Sequence, residues 1–169
     1  MIELLENLYR DHRQGLFLLA LSIVRSPDVA EDAVHNAFAR LYRKGREKAG
    51  DFNGNSVAYV YQVVRNSAID LQRADARHDR VSAAMFAGFN PIEAIECPVE
   101  PLLTRERDEI LKSAIDQLSD SDREAVVLKL FAGLTFDQAG QVAGTSPKTI
   151  ATRYRRALEK LENHLKGQL

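Results

Sequence analysis

Apolar residues recur at spacings of three and four along almost the whole chain, and no stretch of useful length alternates apolar with polar side chains. This pattern restricts the fold to helices packed on helices, because a helix with one apolar stripe needs a second element to cover it. Leu4, Leu5, Leu8, His12, Leu16, Leu19 and Ile23 make the first stripe. Ser26-Pro27-Asp28 then ends one helix and starts the next: Ser26 can cap, Pro27 suits a first turn, and Asp28, Glu31 and Asp32 suit the positive end of a helix dipole. The second helix should run to about Lys44, burying Val29 or Ala30, Ala33, Val34, Ala37, Phe38 and Leu41. Residues 45–56, with three glycines and two asparagines, read as a loop. A third helix follows, with Val57, Val60, Tyr61, Val64, Ala68 and Leu71 on one face and a polar end from Arg73 to Arg80.

The periodicity then lapses. Residues 81–101 include Pro98 and Pro101, which disfavour helix, and they read as a flexible linker. Phe86, Phe89 and Ile92 give this stretch more apolar character than a spacer needs. Helical spacing returns with Leu103, Ile110, Leu111, Ala114 and Leu118 and closes near Ser119. Ser121 and Glu124 are spaced as a capping box for the next helix, which carries Val126, Val127, Leu130 and Phe131 and stops at Gly133. The expected fold is therefore all-α: a helical unit over 1–80, a linker over 81–101 and a second helical unit over 102–169.

Residues 135–161 carry the most information. Thr135 and Gln138 are spaced as a capping box, Phe136 to Ala143 makes a short helix, Gly144 supplies a left-handed turn, and Ser146-Pro147 opens the last helix. A glycine inside the short helix, Gly140, costs about 1 kcal/mol against alanine and suits a close crossing. Helix, tight turn, helix is the helix-turn-helix arrangement. In the last helix Ile150, Tyr154, Ala157, Leu158 and Leu161 should face inward, and Lys148, Ala151, Thr152, Arg155 and Arg156 outward. The N-terminal half of such a helix contacts base edges in the major groove, where arginine can pair with guanine and threonine can touch a thymine methyl. An ordinary helical hairpin with a solvated basic face has the same spacing.

Net charge does not settle that choice, since it is only -1. Its distribution is more telling: residues 148–160 hold five basic side chains and one acidic, residues 81–110 six acidic and two basic. A segregated basic stretch can grip phosphates on a nearly neutral chain. Other functions find little support. His12, His35, His78 and His164 are scattered, and no glycine-rich phosphate loop or metal-spaced cluster appears, so no catalytic residue, cofactor or metal is expected. Cys97 is the one cysteine, which rules out an intrachain disulfide and fits a reducing compartment. Glu3 and Glu6 fall where a signal peptide would be apolar, and Leu16–Val24 is too short to span a bilayer. A cytoplasmic protein without membrane insertion is expected.

The segment 135–161 resembles the C-terminal DNA-binding domain of sigma factors, the transcription initiation subunits of bacterial RNA polymerase. Leu118-Ser-Asp-Ser-Asp-Arg-Glu-Ala-Val-Val-Leu-Lys-Leu is similar to a run of the same family, with Ser119 in place of its proline. Ala30–Phe38 resembles the family's polymerase-binding helix, and Ala58–Asp70 its helix that melts and reads the minus-ten element. Two such domains and no others resemble the extracytoplasmic-function subgroup. The resemblance implies docking on core RNA polymerase through Asp32, His35, Asn36 and Phe38, where His35 and Asn36 replace the family's usual glutamine and glutamate. It implies capture of a flipped minus-ten base by Phe52, Asn53 and Asn55, contact from Tyr59 (in place of tryptophan) and Asn66, and phosphate contacts from Arg65, Arg73 and Arg77. In the last helix it implies that Lys148, Thr149, Thr152, Arg153, Arg155 and Arg156 meet promoter DNA at the minus-thirty-five element. An anti-sigma factor is an expected further partner. Two alternatives remain: a stand-alone helix-turn-helix regulator, which would dimerise on a palindrome, and a degenerate sigma-like regulator that does not initiate.

Overall fold

The computed structural model describes residues 2–47, 55–75 and 103–167, and among these it is helical with no strand. The expected linker over 81–101, together with Phe52, Asn53 and Arg77, lies outside the described residues. The helices are α1 (Ile2–Val24), α2 (Pro27–Glu47), α3 (Ser56–Asp75), α4 (Leu103–Asp116), α5 (Asp120–Val126), α6 (Phe136–Ala143) and α7 (Pro147–Lys166). A wide π turn, Val127–Phe131, continues α5.

The first three helices pack on one another through the stripes seen in the sequence. Leu5, Leu16 and Leu19 of α1, Ala30, Ala33 and Ala37 of α2, and Val60, Val64 and Ala68 of α3 are all at most 2% exposed. Alanines on α2 let the neighbouring helices approach closely. Leu4 departs from its expected place at 40% exposure, one position off the buried line set by Leu5. Arg25 ends α1 with φ of 61°, and Pro27 starts α2 two residues later. The side chain of Asn55 accepts from the backbone of Ala58 at 3.4 Å and so caps α3.

Ser119, not Ser121, caps α5. Its hydroxyl accepts from the backbone N–H of Asp122 at 3.3 Å, so the expected Ser121–Glu124 box does not form. The helix starts two residues earlier than that box requires, and Glu124 faces Arg65 of α3. The π turn then widens the chain's path: Ala132 N–H donates to the Val127 carbonyl at 2.9 Å, five residues back. This rotates Leu130 out to 57% exposure while Leu128 stays fully buried. Leu158, expected inside, is likewise 40% exposed on α7.

The two halves share an apolar core. Val127, Leu128, Leu134, Ala139, Val142 and Ile150 join the buried cluster built by α1, α2 and α3. A smaller cluster of Ala114, Leu118, Val126, Ala157 and Leu161 belongs to the C-terminal half by itself. The fold is thus all-α with two helical regions, and their facing surfaces are packed against each other.

The helix-turn-helix forms as its residues require. Thr135 and Gln138 make a complete capping box on α6, Gly144 closes it at φ of 68°, and Ser146 caps α7 with Pro147 in the first turn. Gly140 marks the crossing: a methyl group added there would lie 2.8 Å from the carbonyl oxygen of Thr145 and 3.1 Å from the nitrogen of Pro147. Alanine inside a helix normally gains about 1 kcal/mol over glycine, but overpacking against backbone costs about 1–3 kcal/mol. Gly140→Ala is therefore expected to lower the thermal midpoint, and a raised midpoint would show that the turn can give way.

Candidate nucleic-acid and polymerase interface

On α2, Asp32, His35 and Asn36 are exposed. Their spacing puts them on one helical face that continues through Ala39 to Arg43. There a cavity of about 410 Å³ opens between Ile2, Ala39, Tyr42 and Arg43. Phe38 does not belong to this face. It is 5% exposed and packs edge-on against Tyr9, with ring centres 5.0 Å apart, so its role is in the core.

Tyr59, Asn66 and Arg73 follow one another at seven-residue intervals on one side of α3. Asn66 and Arg73 are exposed. Tyr59 is half-buried, and its hydroxyl accepts from Lys44 Nζ at 3.0 Å, with the ammonium also 5.4 Å from the ring centre. Arg65 and Asn55 are committed elsewhere. The Arg65 guanidinium pairs with the Glu124 carboxylate, a contact in which both side chains are largely buried. The Asn55 carbonyl oxygen accepts from Gln138 Nε2 at 3.1 Å, while Gln138 Oε1 accepts from the backbone of Thr135 at 2.9 Å. One amide side chain thus ties the start of α6 to the start of α3. Two side chains expected on promoter DNA are in this way held by the C-terminal half.

On α7, Lys148, Thr152 and Arg155 are exposed. Thr152 donates its hydroxyl to the Lys148 carbonyl at 3.0 Å. Thr149 and Arg153 are half-buried, and the Thr149 hydroxyl lies 2.8 Å from that of Ser146 in the cap. Arg156 faces outward as expected but is also engaged within the fold. Its Nε lies 3.1 Å from each carboxylate oxygen of Asp122 and its Nη2 2.5 Å from Oδ1; Lys160 Nζ reaches Oδ2 at 2.9 Å.

The Asp122 side chain has no exposed surface. Burial alone would raise its pKa, but the hydrogen bonds and charges of Arg156 and Lys160 outweigh that and hold it at about 2, against 3.8 ordinarily. A depressed carboxyl pKa contributes stability that is complete above the unfolded value and is lost as the pH falls from about 4 to about 2. The two cations are about half exposed, so solvent limits the contribution to about 1–2 kcal/mol. In urea unfolding, wild-type protein should lose that much more stability than Asp122→Asn between pH 5 and about pH 2. Equal losses would mean that the carboxylate is not held this way.

Next to it, the buried Arg123 donates to the carbonyls of Ile115, Asp116 and Leu118 at 3.3, 3.0 and 2.9 Å, satisfying the open end of α4. Sequence reasoning missed Asp122 and Arg123 as organisers. Both lie in the polar run between Leu118 and Ala125, and only the convergence of α4 and α7 on them shows their use.

The sigma-70 region 2 family model matches residues 8–78, and the sigma-70 region 4 model matches residues 108–161. The RNA polymerase sigma factor CarQ of Myxococcus xanthus is 30% identical over 165 residues, which cover 97% of this chain and 90% of that protein. The ECF RNA polymerase sigma-E factor of Escherichia coli is 27% identical over 148 residues, covering 83% of this chain and 75% of that one. The chain belongs to the extracytoplasmic-function sigma factors of the sigma-70 family. The same relationship appears in three dimensions. The sigma factor RpoE of Bartonella quintana, solved in complex with the anti-sigma factor NepR, superposes with a TM-score of 0.68 at 25% identity over 89% of each chain. As a sigma factor, this protein directs promoter-specific transcription initiation by RNA polymerase. Region 2 accounts for α1 to α3, and region 4 for the stretch that ends in the helix-turn-helix. Among the described residues of this sigma factor, no helix is long and apolar enough to cross a membrane.

Proposed function

We propose that this sigma factor divides promoter recognition between its halves, with residues 1–80 docking on core polymerase and engaging the minus-ten element, residues 102–169 binding the minus-thirty-five element, and 81–101 connecting them. The observation that carries this reading is the helix-turn-helix of α6 and α7, whose exposed Lys148, Thr152 and Arg155 stand on the N-terminal half of its second helix. Thr149 and Arg153 flank them and serve the phosphate backbone. Asp32, His35 and Asn36 supply the polar docking face for polymerase. Tyr59, Asn66 and Arg73, with Phe52, Asn53 and Arg77, serve the minus-ten side. Asn55 and Arg65 join them once the C-terminal half has moved away.

The protein forms no covalent bond in this scheme. Duplex contacts from α7 fix register, and trapping of unstacked bases offsets an unpairing cost of a few kcal/mol per base. The protein works in the cytoplasm, and an anti-sigma factor restrains it. The support for that partner is that a structural relative was crystallised with one.

The experiment is run-off transcription with bacterial core polymerase, with and without the full chain, on fragments of its own genome. Transcripts that need the protein are expected, and their start sites define both promoter elements. Absence of such transcripts, with no co-elution with core polymerase, would leave a stand-alone DNA binder.

A further inference from the structure

We infer that Asp122 is a positioning residue for the promoter-reading helix, and that Arg156 and Lys160 serve it rather than DNA. Lys148, Thr152, Arg156 and Lys160 follow one another at four-residue intervals and form a single row along α7. All four are exposed, but Arg156 and Lys160, at about half exposure, also converge on one carboxylate that has no exposed surface. Asp122 takes the Nε–Nη2 edge of the Arg156 guanidinium and a donor of the Lys160 ammonium, so both cations spend on one carboxylate charge and N–H groups that a DNA contact would otherwise use.

The surroundings explain why α7 needs such a tether. At the level of residues 156–161 its apolar contacts come from Ala157 and Leu161, while Leu158 is 40% exposed. The carboxylate adds a polar anchor on this side of the helix by holding two side chains one turn apart. Asp122 is itself fixed: its backbone N–H donates to the capping Ser119, and the adjacent Arg123 is bonded to the last carbonyls of α4. Residues 122 and 123 thus join α5 to α7 on one side and to α4 on the other. The direction in which Thr152 and Arg155 point is set through these contacts.

This inference rests on α7 being the helix that meets the minus-thirty-five element, and the test separates the two claims. The full chain, bound to core polymerase, is titrated with the promoter duplex found by run-off and with the same duplex carrying a scrambled upstream element, across a range of salt. Each phosphate contact contributes about 0.9 to the slope of log affinity against log salt. Arg156→Ala is expected to leave that slope unchanged while reducing the preference for the intact upstream element several-fold. Asp122→Asn is expected to reduce the same preference and to steepen the slope by about 1–2, as the released cations find phosphates. Arg155→Ala should flatten the slope by about 1. If Arg156→Ala flattens the slope as Arg155→Ala does, Arg156 grips DNA and the inference is overturned. A variant at Arg156 that changes neither slope nor preference at equal folded fraction also overturns it, since the tether would then be structural only. If Arg155→Ala has no effect on either quantity, the assignment of α7 to the upstream element fails, and the inference with it.

Discussion

Leu128→Ala is expected to lower the stability of the whole chain by about 3 kcal/mol, within the range of about 2–5 seen for fully buried leucines. Leu128 has no exposed surface and lies in the π turn, where the C-terminal half enters the core built by α1, α2 and α3. The void left by the shorter side chain cannot be refilled by one half alone, because residues of both line it. For a chain of this size the thermal midpoint should fall by about 6–12 °C. Calorimetry is the appropriate readout, since it shows whether one transition moves or a second one separates from it. A shift of only a degree or two would mean that Leu128 packs against a surface that collapses easily.

Glu124→Lys is expected to part the two halves. The carboxylate of Glu124 and the guanidinium of Arg65 are 12% and 23% exposed, so replacing one with a like charge leaves two poorly hydrated cations facing each other. Disrupting a pair so enclosed costs about 2–4 kcal/mol. The other polar cross-contacts, Asn55 with Gln138 and Arg25 with Asp116 and Asp120, are too exposed to offset that, which leaves only the shared apolar core to oppose separation. X-ray scattering gives the readout: a compact chain of this length has a radius of gyration of about 15 Å, and the variant should rise clearly above it. The charge swap Arg65→Glu with Glu124→Lys should bring it back. A variant that stays compact would show that the apolar contacts alone join the halves.

The helices themselves were legible because their signals are local. The stripe of α2, the capping box of α6 and the Ser146-Pro147 start of α7 depend only on residues within one or two turns, and the structure places each as its spacing requires. The cap of α5 was misread for an instructive reason. Ser121 with Glu124 satisfies the pattern on paper, but Arg65, 59 positions away, claims Glu124, and Ser119 takes the cap. The ion pair of Arg156 was hidden for the same reason: nothing near it in sequence announces a buried carboxylate on another helix. Phe38 was ambiguous because a polymerase-docking helix and a core-packing helix place an aromatic ring at the same spacing, and only the position of Tyr9 decides. Fold was therefore readable from periodicity, whereas the assignment of particular charged side chains to DNA, to polymerase or to each other depended on long-range pairing.

The core common to both halves bears on how such a chain can change over time. Where two regions touch only through a tether, each can be exchanged for its counterpart from a relative, and promoter preferences can be recombined freely. Here Leu128, Leu134 and Ile150 are fitted against Leu16, Tyr61 and Val64 in one cluster. A transplanted region 4 would arrive with side chains shaped for another surface, and close-packed interiors tolerate such mismatches poorly. Lineages of this protein should then acquire new upstream specificity by substitutions on the exposed side of α7, where Lys148, Thr152 and Arg155 stand clear of the core, more readily than by swapping the domain that carries it.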